Sequence, residues 1–380
     1  MTMRVLMAVV LICSSVDVAA TEQLLPPPYP GTVHTVQEFP THMPEALQVD
    51  DSTSPKIQSW NQDDSCPHGT IPILRKNSST KVKPWGHRPQ RIVRENKENE
   101  GTIEVHHNIS TESMDNALFA PGAHPETHEH VIAQYSKAPI YGGYGVLNVW
   151  NPSLQLLNEM SLSQMWLLSG KFDGHDLNSI EVGWQVNPAS FGGDSSTRLF
   201  IYWTSDSYTN TGCYNLECPG FVQVSSSILL GAPIKPISTY AGSQFDLNPV
   251  YVYKDVNTGS WWLYLAGTFV GYWPSSLFTH LADHAELLQW GGEVVNMRAN
   301  GQHTTTQMGS GHFASEGFRK SCFSRSLKAV DPTFKAKDIP VDDLDVGSSN
   351  PSCYDAQKLQ IENWGTTILF GGPGRNPNCS

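Results

Sequence analysis

The sequence predicts an all-β protein, an antiparallel sandwich or barrel preceded by a smaller N-terminal region of different composition. Three observations carry that expectation. From about residue 128 onward, short alternating or apolar segments recur, with Pro and Gly punctuating the gaps, as in Phe191-Gly-Gly-Asp194 and Asn257-Thr-Gly259. Helical periodicity is scarce. In Arg198-Leu-Phe-Ile-Tyr-Trp-Thr204 alternation puts Leu199, Ile201 and Trp203 on one side and Phe200 and Tyr202 on the other. A strand with aromatic rings on both sides is covered on both sides.

Three stretches divide the 380 residues, more than one small core needs. Residues 1–20 read as an export signal: Arg4 is the basic start, Val5 to Ile12 the apolar run and Val18-Ala-Ala20 the small-residue cleavage site. That run is too short to span a membrane. The expected destination is secreted, extracellular or apoplastic, with the vacuole as an alternative. Residues 21–127 differ from the rest, rich in Pro, His, Asn and Glu with few sustained apolar periods. Pro26-Pro-Pro28 marks a stiff linker, Asn77-Ser-Ser79 and Asn108-Ile-Ser110 are glycosylation sequons, and Cys66 to Arg75 looks folded. Between Arg75 and Lys97 eight Lys or Arg residues stand against Glu95 alone, whereas residues 129–380 hold 14 basic and 21 acidic residues. The basic block is either a solvated loop or a piece that docks on the acidic body and loosens as carboxylates protonate.

The β-rich region is 128–380. Strands are expected over 130–135, 145–150, 163–168, 179–186, 198–204, 220–226, 250–254, 261–268, 289–294, 304–309 and 366–370. One helix is expected over 274–288, where Leu277, Leu281, Ala285 and Leu288 recur at helical spacing. Six cysteines follow the signal. Cys213 with Cys218 and Cys353 with Cys379 are the natural disulfide pairs in an oxidising compartment, while Cys66 and Cys322 either pair or stay free. A formal charge of −12, 16% charged residues and 11 tryptophans exclude a disordered chain and argue against nucleic acid as a partner. No membrane partner, cofactor or metal is expected.

The chemistry concentrates on two carboxylates. Neither a GxSxG elbow, an HExxH helix nor a phosphate-binding glycine loop occurs. Gly309-Ser-Gly311 beside His312 lacks a third partner, and His303 and His312 stand at a weak metal spacing. His128 and His130 are read as local hydrogen-bonding residues. In Asn178-Ser-Ile-Glu-Val-Gly-Trp-Gln-Val186 alternation puts Ile180, Val182, Trp184 and Val186 on a core face, and Glu181, Gly183 and Gln185 on the other. Leu288-Gln-Trp-Gly-Gly-Glu-Val-Val295 repeats the design around Glu293. A glutamate beside glycine in mid-strand fits a cleft floor. Two carboxylates sharing a site do not both ionise easily, so one remains an acid while the other serves as base. That logic serves peptide and sugar hydrolysis alike. Gln185 and Tyr202 are secondary candidates for substrate binding. A cell-wall glycoside hydrolase and a non-catalytic carbohydrate-binding sandwich are the alternatives.

Several motifs together resemble one family. They are Cys66-Pro-His-Gly-Thr-Ile-Pro-Ile73, Ile180-Glu-Val-Gly-Trp184, Gly212-Cys-Tyr-Asn-Leu-Glu-Cys-Pro-Gly-Phe-Val-Gln223, Val270-Gly-Tyr-Trp-Pro274, Trp290-Gly-Gly-Glu293, His303-Thr-Thr-Thr-Gln-Met-Gly-Ser-Gly-His-Phe313 and Gly371-Gly-Pro-Gly374. In this order they resemble the neprosin family of plant secreted proteins. The resemblance implies a signal, an inhibitory propeptide over 21–127 and a β-sandwich acting as a glutamic endopeptidase that cleaves after proline in acid. It implies Glu181 and Glu293 as the catalytic pair. The partners it implies are a proline-containing peptide or protein substrate and the chain's own propeptide as an intramolecular inhibitor. Pro121 and Pro125, just ahead of the sandwich, are where such an enzyme would cut itself free. Cys322 sits where the family pattern usually has no cysteine, and the propeptide offers Cys66 no second one.

Overall fold

The computed structural model describes residues 11–15, 58, 66, 70–74, 90–93, 102–104, 127–172, 175–298 and 301–380. The first strands are β1 (Leu11–Ser15), β2 (Thr70–Leu74), β3 (Arg91–Val93), β4 (Thr102–Glu104), β5 (Thr127–Tyr135) and β6 (Gly142–Asn148). Then come β7 (Met160–Ser169), β8 (Asn178–Val186), β9 (Arg198–Thr204), β10 (Cys213–Tyr214), β11 (Val222–Gln223), β12 (Asp246–Lys254) and β13 (Trp261–Leu265). The last are β14 (Thr268–Trp273), β15 (Leu287–Asn296), β16 (Cys322–Val330), β17 (Ala336–Asp338), β18 (Asp345–Ser348), β19 (Asp355–Ile361) and β20 (Gly365–Gly371).

Two antiparallel sheets make the body. One has the order β10-β9-β8-β7-β15-β5-β18; the other runs β11-β14-β13-β12-β6-β16-β20-β19, with β17 paired to β16. Two ribbons stand apart, β1 with β2 and β3 with β4. The all-β sandwich expected from the sequence is the fold found. β1 lies within the stretch read as an export signal.

Alternation decides which side chains meet between the sheets. Ile180, Val182 and Trp184 of β8 and Leu199, Ile201 and Trp203 of β9 join Val250, Val252, Trp261, Leu263, Trp273 and Phe370 of the second sheet in one buried cluster. Each fully buried Leu, Val or Phe contributes about 1.5–3 kcal/mol. The Trp184 Nε1–H donates to the Asn148 carbonyl at 2.9 Å, so the ring buries no orphan donor. On the opposite side of the seven-stranded sheet, Phe200 and Tyr202 cluster with Leu162, Trp166 and Tyr214. A register slip of one residue would exchange the two sets, so burial on both faces pins the pairing.

The helix expected over 274–288 does not form. Ser275–Leu277 is a single 3-10 turn, and the chain is already in β15 from Leu287. Asn178 Oδ1 accepts the backbone N–H groups of Thr279, His280 and Leu281, at 3.0, 2.7 and 3.1 Å, removing the donors a helix would use. Ala285 bridges to Ile140, so Leu281 and Ala285 join the core from a loop while Leu288 does so from β15. The single strand expected over 261–268 is a hairpin turning at Ala266 and Gly267, both with positive φ. The strand expected over 304–309 is a loop whose Met308 bridges Gly372, and that expected over 220–226 is only Val222–Gln223.

Disulfides join Cys213 to Cys218 and Cys353 to Cys379, as the spacing predicts. Cys66 is disulfide-bonded while Cys322 is a buried free thiol, so these two do not pair with each other. Asn77, Asn108, Pro121, Pro125 and most of the basic block lie outside the described residues.

Candidate active site

The outer face of the seven-stranded sheet carries three rows of side chains running across the strands. Directly paired residues share a face, so the register alone places them. One row is Tyr202, Glu181, Trp166, Gln289 and Gln134, on β9, β8, β7, β15 and β5. Two residues along the strands, a second row holds Arg198, Gln185, Leu162, Glu293 and His130. Between them lies Phe200, Gly183, Gln164, Gly291 and Ile132. The glycines make the middle row a trough. A Cβ on Gly183 would sit 2.1 Å from the Ser163 carbonyl oxygen, and one on Gly291, at φ 153°, 1.9 Å from that of Val131. Glu181 and Glu293 therefore face one trough from opposite walls, with β7 between them. Both are fully buried.

Hydroxyls surround Glu181. Ser179 Oγ donates to Glu181 Oε1 at 2.8 Å and the Tyr208 hydroxyl donates to the same oxygen at 2.6 Å. Tyr208 reaches it from the loop after β9, which Asp206 organises by accepting from the backbone N–H groups of Asn210 and Thr211. Tyr202 lies opposite Glu181 across the β8–β9 ladder and stacks on Tyr208, with centroids 5.7 Å apart. Burial, then the Glu181 charge, pushes the phenols of Tyr202 and Tyr208 well above their ordinary value, so both remain donors. Tyr214 of β10 is also raised, by burial first and then by Tyr202, Glu293 and Glu181. Tyr208 and Tyr214 escaped the sequence reading because a loop and a two-residue strand have no period to reveal them. Gln185 is buried on the site face beside Leu162, in hydrogen-bond range of Asn187.

Imidazoles surround Glu293. His128 Nδ1 lies 2.5 Å from Glu293 Oε1, and His130 Nε2 lies 3.4 Å from Oε2. Read from sequence as local hydrogen-bonding residues, these histidines instead reach a partner more than 160 positions away, because β5 pairs with β15. Glu129, between them, points to the opposite side.

There it bonds His303 Nε2 at 2.8 Å and accepts from Asn296 Nδ2 at 2.8 Å. Thr304 Oγ1 donates to Glu159, whose other oxygen accepts the Met297 N–H, so the chain leaving β15 is tied to the start of β7. His303 sits beside Cys353 and Cys379, whose sulfurs are committed to each other. His312 pairs with Glu316 at 2.7 Å.

This latch has a pH signature. Burial raises the Glu129 carboxyl, but hydrogen bonds from His303 and Asn296 and the imidazolium charge outweigh it and hold the group below its ordinary 4.5. Burial lowers His303, yet the hydrogen bond and charge of Glu129 raise it above 6.5. Stability from Glu129 is present above its ordinary value and lost as pH falls through the lowered one. Stability from His303 is present below 6.5 and lost as pH rises through the raised value. The difference in melting temperature between wild type and His303→Gln is therefore expected to peak between about pH 4.5 and 6.5. A difference independent of pH in thermal melts would remove the ion pair from the account.

A piece of the N-terminal region lies on this face. The Gln134 side-chain amide accepts the Ile92 N–H at 3.2 Å and donates to the Ile92 carbonyl at 3.1 Å. Gln289 Nε2 donates to the Gln90 carbonyl at 2.8 Å, and Ser349 Oγ donates to Gln90 Oε1 at 2.8 Å. The Ile92 side chain is 3% exposed and packs in the cluster of Ile132, Leu162 and Trp166. Arg91 borders a cleft lined also by Asp342, Asp343 and Asp345. Two glutamine side chains of the sheet thus hold an extended backbone by its peptide groups.

A family model described as Neprosin matches residues 157–373. Among solved structures, the chain is similar to scytalido-glutamic peptidase bound to a peptide-based transition state analog, at 11% identity over 66% of this chain and 100% of that one, with a TM-score of 0.35. It is also similar to a β-porphyranase from the human gut bacterium Bacteroides plebeius, at 13% identity over 42% of this chain and 55% of that one, with a TM-score of 0.23.

Proposed function

The chain belongs to the neprosin family, and from that premise we propose that it is a secreted glutamic endopeptidase cutting after proline in acid and made as an inactive precursor. One observation carries this reading. Two buried glutamates face a single trough where a peptide segment is already bound through its backbone. Side chains that grip peptide groups favour a peptide substrate over a sugar.

Glu293 acts as the base. An imidazole N–H that donates to a carboxylate stabilises its ionised form. His128 and His130 stand 2.5 and 3.4 Å from Glu293, whereas Ser179 and Tyr208 donate hydroxyls to Glu181. Glu293 takes one proton from the water whose oxygen attacks the scissile carbonyl carbon. Glu181, protonated, hydrogen-bonds the oxyanion and then gives its proton to the departing amine. Transfer of the proton from Glu293 to Glu181 through solvent restores the pair. Trp166, Tyr202 and Tyr214 supply flat apolar walls against which a proline ring packs.

The Gln90–Ile92 segment occupies one end of the trough and acts as the inhibitor. Arg91 of the same segment borders Asp342, Asp343 and Asp345, and this opposite charge helps to hold the inhibitor in place. Digestion of a mixed peptide library by the acid-treated chain, read by mass spectrometry, is expected to show cuts enriched after proline. Cuts without preference at that position would remove the specificity, and no cuts at any pH would remove the peptidase.

A further inference from the structure

Gln164 holds the central position of the trough, in the middle of the glycine row. It pairs with Gly183 on one side and Gly291 on the other. Glu181 pairs with Trp166, two residues beyond Gln164, and Glu293 pairs with Leu162, two residues before it. Gln164 is therefore the midpoint of the diagonal joining the glutamates and a diagonal neighbour of each. Such neighbours have Cα atoms about 7–8 Å apart, within reach of long side chains.

Its environment is unusual for an amide. Gln164 is fully buried, and among the described residues neither its Nε2 nor its Oε1 has a hydrogen-bond partner. Burying an unsatisfied amide is destabilising. Gln134 and Gln289, on the same face, bond each other and the pro-segment. Nothing in the packing of β7 calls for an amide here, since Met160, Leu162, Trp166 and Leu168 fill the same face with apolar groups. An orphan donor held rigidly on a strand between a base and an acid is placed for a group that appears only during reaction.

We propose that Gln164 is a third catalytic residue, its Nε2–H donating to the carbonyl oxygen of the scissile peptide as that oxygen becomes an oxyanion. The inference rests on the glutamate-pair reading above. Water oxygen bonds to the carbonyl carbon while one water proton passes to Glu293. The carbonyl π pair moves to oxygen, where Gln164 and protonated Glu181 both donate. When the pair returns, the C–N bond breaks and the amine nitrogen takes the Glu181 proton. Gln164 gains and loses no proton, so its contribution does not titrate.

The test is Gln164→Leu, with Gln164→Met beside it, in the full chain incubated in acid, with rates on a proline-containing peptide expressed per processed molecule. Removal of an oxyanion donor is expected to lower kcat about 10²–10³-fold with KM little changed. The melting temperature should hold or rise, because an unpartnered buried amide is replaced by an apolar group of similar size. A full kcat in both variants overturns the inference. So does a fall in melting temperature in both with normal turnover per folded molecule, which would assign Gln164 to the fold. Those outcomes leave the glutamate pair standing if Glu181→Gln and Glu293→Gln are silent. A wild-type chain without turnover overturns both readings.

Discussion

Glu181→Gln and Glu293→Gln are each expected to reduce peptide hydrolysis in acid about 10²–10⁴-fold, the range for loss of a positioned acid or base. Glutamine keeps the shape of either side chain and the ability to meet Ser179 and Tyr208 on one side, or His128 and His130 on the other. It cannot exchange a proton. Thermal melts should therefore change little relative to the loss of rate. Because the two groups act on one water and one leaving group, the double variant should be little worse than either single one. Measured initial rates decide it: either single variant retaining full activity would take that residue out of the mechanism. Losses that multiply in the double variant would mean separate roles.

Under the proposed inhibition by the Gln90–Ile92 segment, Ile92→Asp in the full chain is expected to produce activity without processing. Ile92 packs in the apolar cluster of the site face and is 3% exposed. An unpaired carboxylate there costs several kcal/mol, on a face that already holds Glu181 and Glu293. The backbone hydrogen bonds of Ile92 to Gln134 and of Gln90 to Gln289 contribute about 0.5–1.5 kcal/mol each. The penalty exceeds what holds the segment, so it leaves the trough. Comparison of precursor rates before any cleavage, checked by gel, tests this. A silent Ile92→Asp precursor whose processed form is active would show that another part of the N-terminal region blocks the site.

How far the site was legible follows from period and distance. β8 and β9 could be read residue by residue, because a period of two over seven to nine positions assigns each side chain to a face. The same reading identified Trp184 as core and Glu181 as its opposite. It failed over 274–288, where Asn178, about a hundred positions earlier, captures three backbone donors and cancels a helical pattern. It passed over His128 and His130 for the same reason: their partner is Glu293, and no local pattern carries that pairing. Tyr208 and Gln164 were invisible for opposite reasons. Tyr208 lies in a loop without a period, whereas Gln164 sits on a strand but gains meaning only from its neighbours in register.

Composition, alternation and cysteine spacing determine by themselves an all-β antiparallel chain with clipped turns and two glutamates on strand faces opposite an apolar row. Only the tertiary structure decides that these glutamates share a trough, since β7 enters between β8 and β15 and sets their diagonal. Which face a side chain takes is written in the nearest few residues. Which strand lies beside it is settled by the burial of both sheets at once, and that is a property of the whole chain.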